Sequence, residues 1–196
     1  MLRFHIRTTE IVIGIWFPAI ILWMLLADKS GSAIGCLIAS GLHECGHFAV
    51  MRWLGDPIKR VVLGLFGIRV ERREGVGIGY TGMAAVSLAG PLANLLVGGV
   101  GALCGANSSF LLLNIALAAF HLLPIASLDG GEALYAILCL AHPADTAERI
   151  VLVVSVAILI PFGILGIFLL LRTGYNVTLL ILTLYLTFLL ILREKH

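Results

Sequence analysis

Long apolar runs dominate this chain. Six stretches read as almost unbroken hydrophobic sequence, at 11–27, 32–54, 82–105, 110–141, 150–171 and 177–192, and the polar residues gather between them. A bilayer crossing takes about 17–25 mainly apolar residues, so the pattern predicts an all-α polytopic membrane protein with six transmembrane helices. The fourth run is too long for one simple helix, and Pro124 with the paired Gly130 and Gly131 interrupts it. The segment between the second and third runs has a different grammar. Short apolar stretches at 61–65 and 68–70 are broken by Gly64 and Gly67 and flanked by charge. They are too short to span, and they suit either a β-hairpin or a re-entrant loop covered by protein; the pattern leaves both open.

Composition sharpens this picture. Of 196 residues 60% are hydrophobic and 12% charged, with a mean hydropathy of +1.08. That excludes a disordered chain and an ordinary soluble domain. A net charge of +2 without a basic stripe gives nucleic acid no purchase. Cys36, Cys45, Cys104 and Cys139 match neither a disulfide framework nor a Cys-x-x-Cys metal site, so they are expected to be free and packed. The first run ends in Asp28-Lys29 with no small-x-small cleavage pattern, and is expected to be retained.

Charge also orients the chain. With the N-terminus inside, only Lys29 and Arg172 of the 13 basic residues fall on the outer side. The positive-inside rule therefore expects both termini to be cytoplasmic.

Ionisable groups inside a bilayer are costly and mark function. Here they gather in two runs: His43, Glu44 and His47 in the second, and His121, Asp129 and Glu132 in the fourth. His43-Glu44-Cys45-Gly46-His47 is an H-E-x-x-H motif. Histidines at i and i+4 share a helix face and can reach one metal ion, while the glutamate can serve as general base toward a water whose pKa zinc lowers to about 7. Chance occurrence of the motif is a real alternative in a soluble helix. It weakens in an apolar span, where three ionisable side chains need partners.

A catalytic zinc ion takes three protein ligands and keeps one position open. Asp129, His121 and Glu132 are the candidates for the third. Asp129 sits at the helix break, where an aspartate also suits a helix N-terminus. It differs in expected depth from His43 by only about 3 Å at 1.5 Å rise per residue. Glu132 lies nearer the inner face. Asn94, beside Gly90 and Pro91 in the third run, is a polar group that needs a partner, and its expected part is structural, as helix glue.

On these stretches the chain resembles the site-2-type intramembrane zinc metalloproteases, and among them the stage IV sporulation branch that releases a membrane-tethered pro-sigma factor. The matching residues are His43-Glu44-Cys45-Gly46-His47, the segment from Ile58-Lys59-Arg60-Val61 to Phe66-Gly67, Ala89-Gly90-Pro91-Leu92, and Leu122-Leu123-Pro124-Ile125 to Leu128-Asp129-Gly130-Gly131. The resemblance implies one zinc ion per chain held by His43, His47 and Asp129, with Glu44 catalytic. It implies a single protease domain over 1–196, with a catalytic core at about 32–141 and a substrate-positioning loop at about 58–70, where Phe66 and Gly67 are taken to contact substrate. It further implies a membrane-tethered protein as substrate, and membrane-embedded regulators or inhibitors as partners.

Two departures stand out. The family usually has Asn eight residues before the zinc aspartate, where this chain has His121. It is grouped with the substrate-binding residues. A fourth metal ligand, a buried bystander and a hydrogen-bonding group beside the site all remain open for it. Neither a PDZ domain nor the nucleotide-sensing domain of sporulation members is expected within these residues. Two rival functions use the same features. A membrane metal or haem carrier would use His43, His47 and His121 but has no need of Glu44, and a transporter would suit the broken helix but usually shows internal repeats, which are absent here.

Overall fold

The computed structural model describes residues 2–6, 9–56, 58–64, 67–72 and 77–193. The chain opens not with a helix but with a hairpin, β1 (Leu2–Ile6) against β2 (Thr9–Ile13), which pair antiparallel from Leu2 opposite Ile13 to Ile6 opposite Thr9. This corrects the first expected span. Ile11, Val12 and Ile13 are β-branched, stiff at χ1 and suited to a pleated surface. Only Trp16–Ala27 (α1) is helical. The turn between them is Gly14, whose N–H donates to Leu63 O at 2.8 Å.

The helix α2 (Ser32–Trp53) carries the chain back to the sheet. There β3 (Ile58–Gly64) lies parallel to β2, from Glu10 opposite Arg60 to Ile13 opposite Leu63, and antiparallel to β4 (Gly67–Arg72). Of the two options for the segment after the second run, the backbone is therefore a hairpin, set in a sheet ordered β1-β2-β3-β4. Arg60 Nε donates to Glu10 Oε2 at 2.8 Å across the parallel pair, and that bond holds the Glu10 carboxyl below its ordinary range. A parallel pair needs a long crossover, and here α1 and α2 supply it. The start of α1 and the end of α2 thus lie on one side.

The helical body centres on α3 (Gly79–Leu103), which packs against α2, α4 (Ser108–His121) and α5 (Asp129–Leu138). Small residues let the backbones close. A Cβ on Gly46 of α2 would stand 2.5 Å from Ala89 O and 2.8 Å from Ala93 Cβ. The expected break in the fourth run lies between α4 and α5. Residues 122–128 fold back over the first turn of α5, where a Cβ on Gly130 would meet Leu123 O at 2.6 Å and one on Gly131 would meet Ala126 N at 2.7 Å. Only glycine fits there.

The long α6 (Ala144–Thr173) and α7 (Thr178–Arg193) flank this turn. Ser155 Oγ of α6 accepts from Ala126 N–H at 2.9 Å and donates to Val151 O at 2.7 Å. Fully buried Ile125 joins Leu128, Val151, Leu159, Leu186 and Leu190 in one apolar cluster.

Among the described residues three helices are long and apolar enough to cross a membrane, Ser32–Trp53, Gly79–Leu103 and Ala144–Thr173; Trp16–Ala27, Ser108–His121 and Thr178–Leu192 are apolar but shorter. Large side chains along α6, such as Val153, Ile160, Ile164 and Leu171, are exposed. An apolar exterior of this kind suits lipid rather than water. The cysteines are free, as expected, but Cys45 and Cys104 face outward instead of packing inside.

Candidate metal centre

His43 and His47 lie one turn apart on α2, and both rings point at α3. They fit only because residue 90 has no side chain: a Cβ there would stand 2.7 Å from His43 Nε2 and would clash with His47 Nε2 as well. Each ring is held at its remote nitrogen. His47 Nδ1 lies 2.7 Å from Val86 O, a carbonyl, so Nδ1 must be the donor. His43 Nδ1 lies 2.7 Å from Asn94 Oδ1. The Asn94 amide is oriented without ambiguity, because Nδ2 donates to Ala39 O and to Asn114 Oδ1, both at 2.9 Å. Its Oδ1 is therefore the atom facing His43, and His43 Nδ1 also donates. Asn114 Nδ2 closes the chain on Phe110 O at 2.9 Å. Asn94 and Asn114 are fully buried.

With Nδ1 the donor on both, each ring in its neutral form turns the lone pair of Nε2 inward. These lone pairs face each other at 3.1 Å. They also face Asp129 Oδ2, at 2.9 Å from His43 and 3.5 Å from His47. Acceptors arranged against acceptors are repulsive unless a proton or a metal ion lies among them. The separations agree: donors about 2.0–2.1 Å from a tetrahedral ion stand about 3.3 Å apart. Residues His43, His47 and Asp129 thus fit a zinc ion by their own chemistry.

Asp129 begins α5, but Leu128 is its N-cap and makes no side-chain cap bond. The carboxylate is turned to the histidines instead of capping the helix. His121, the last residue of α4, joins the same group: Nδ1 is 2.8 Å from Asp129 Oδ2, and its ring centroid is 4.3 Å from that of His43. Ligand-capable atoms of His43, His121 and Asp129 all lie within 4.8 Å of one another, a set that could hold a metal ion. His121 therefore stands inside the cluster and not merely beside it.

Glu44, next to His43 on α2, is half-buried and interacts electrostatically with His47, His43, Asp129 and His121. Glu132 is exposed on α5. Gly67 pairs with Gly64 at the end of the second hairpin; Phe66 lies outside the described residues. Gly90 and Asn94, expected as packing elements, prove to be part of the centre's support, while Pro91 is buried within α3. Sequence reasoning passed over Asn114, Val86 O and Ser155. Asn114 carried a readable signal, a lone amide in the apolar run Phe110–Phe120; a backbone carbonyl carries none.

The comparisons with known proteins agree with this geometry. The chain aligns at 31% identity over 164 residues with a Mycobacterium tuberculosis protein provisionally named zinc metalloprotease Rip3, in two strains. The alignment covers 72% of this chain and 41% of the relative, so the chain spans about two fifths of the length of the curated relative it matches. The structure superposes on the Site-2 Protease from Methanocaldococcus jannaschii with a TM-score of 0.67 at 22% identity, covering 95% of this chain and 92% of that one. No protein-family model matches. The fold is that of a site-2 protease. The alignment with a zinc metalloprotease, the fold and a His/Asp cluster that could hold a metal ion point the same way.

Proposed function

We propose that the protein is an intramembrane zinc endopeptidase that cuts a membrane-tethered protein substrate. The observation that carries this reading is the convergence of His43 Nε2 and His47 Nε2 on Asp129 Oδ2, with both Nδ1 atoms held elsewhere and Glu44 adjoining. His43, His47 and Asp129 would hold the ion. A bound zinc ion supplies Lewis acidity and a water of lowered pKa. Asn94 and Val86 O keep the two imidazoles in the ligating tautomer. Glu44 takes a proton from the attacking water and delivers it to the amide nitrogen as the C–N bond breaks.

A helical substrate hides its amides, so the scissile segment unwinds and lies extended, with 58–70 positioning it through Phe66 and Gly67. Resemblance to the sporulation branch makes a tethered pro-sigma factor the first substrate to test, and membrane-embedded inhibitors the first regulators. Both termini lie in the cytoplasm, with six crossings. A carrier of metal or haem would leave Glu44 with no task.

The test is co-expression with tethered candidate substrates, wild type against Glu44→Gln. The variant should retain zinc and release no product, because it loses a base and not a ligand. Cleavage at the wild-type rate by Glu44→Gln would defeat the proposal.

A further inference from the structure

Three imidazoles approach Asp129, and they are not held alike. His43 is pinned at Nδ1 by Asn94 and His47 by Val86 O, and both project from the middle of α2. His121 turns Nδ1 inward, and among the described residues nothing hydrogen-bonds its Nε2. It is the last residue of α4, where the helix gives way to the 122–128 turn. Its side chain is 27% exposed, against 3% for His43 and 12% for His47, so it stands on the open side of the cluster. Yet its Nδ1 comes as close to Asp129 Oδ2, at 2.8 Å, as His43 Nε2 does at 2.9 Å. Second-sphere hydrogen bonds fix a ligating ring, and a ring without one is free to turn.

We propose that His121 is a releasable fourth ligand. In the substrate-free protein its Nδ1 joins His43 Nε2, His47 Nε2 and Asp129 on the metal, and it yields that position when substrate arrives. Four protein ligands make a closed, structural type of site, and catalysis needs one position open. His121 thereby keeps the centre inert until something displaces it. This inference rests on the reading of the cluster as a peptidase centre and adds to it a resting state.

The measurement is a ligand count on the purified full chain loaded with zinc. X-ray absorption should find three imidazoles in the wild type and two in His121→Asn. Cobalt(II) loading should give a four-coordinate visible spectrum in the wild type and a different one in the variant. Competition with a chelator should show zinc held about 10-fold or more weaker by the variant, since even outer-sphere losses cost 10–100-fold. Adding a peptide hydroxamate should lower the wild-type count from three to two. The wild-type counts need no variant to fold.

Two imidazoles in the untreated wild type would overturn the inference. So would three that persist with the hydroxamate bound. Cleavage of a tethered substrate is scored separately. A protein that cuts but shows two imidazoles sinks the fourth ligand and spares the peptidase; one that drops from three to two but cuts nothing spares the releasable ligand and sinks the peptidase.

Discussion

Gly90 is the residue on which the centre's geometry turns. In an exposed helix a Gly→Ala change gains about 1 kcal/mol of helical propensity. In α3 the added Cβ would be forced against His43 Nε2 and His47 Nε2. Gly90→Ala should therefore leave helix content intact by circular dichroism and remove zinc by elemental analysis, and a full complement of zinc would show that the rings can retreat. Asn94 is the complementary case, because it fills its place with hydrogen bonds. Asn94→Leu strips His43 Nδ1, Ala39 O and Asn114 Oδ1 of a partner. Each buried orphan costs about 1–3 kcal/mol, and zinc affinity should fall about 10–100-fold; an unchanged chelator titration would mean the histidine needs no steadying. His43, Glu44, His47 and Asp129 could be read from the sequence because ionisable groups are conspicuous in an apolar run. Asn94 was legible as a polar group in want of a partner but not as the partner of His43, since spacing within one helix says nothing about the helix opposite.

At the scale of elements, the turn between α4 and α5 sets Asp129 in place. It is fastened from outside by Ser155, whose hydroxyl joins Ala126 N–H to Val151 O. A net hydrogen bond is worth about 0.5–1.5 kcal/mol. For a chain of this size that is a shift of about 2–4 °C per kcal/mol in melting temperature. Ser155→Ala should lower the midpoint by that amount and weaken zinc binding with it; a lowered midpoint with unaltered zinc affinity would show that the turn keeps its shape without α6. Pro124 and the paired glycines announced the break in advance. Nothing announced Ser155, because a serine in a long apolar helix normally satisfies itself on the carbonyl one turn back, and here it does that and more. The N-terminal hairpin escaped notice for a plainer reason: Ile11, Val12 and Ile13 merge into the apolar run that follows, and hydropathy is blind to whether β-branched residues start a helix or end a strand.

For the whole molecule, the parallel pairing of β2 with β3 sets both hairpins at one end of the α1–α2 pair. If that end is cytoplasmic, reporter fusions after residues 30, 107, 145, 174 and 196 should read out, out, in, out, in, and an outside reading at 196 would break the six-crossing arrangement. The same pairing has a consequence in time. Glu10 and Arg60 are 50 residues apart in the chain. At 5–20 residues per second the ribosome needs about 3–10 s to pass from one to the other. Through that interval β1 and β2 exist only as a two-stranded ribbon, which is marginal by itself in water. They gain their third strand only after α1 and α2 have been made and α2 has run back beside α1. The sheet is thus completed only when the first helical pair has folded back on itself, and a nascent chain whose α2 fails to return is left with an open strand edge, the very feature by which an unassembled chain is caught or aggregates.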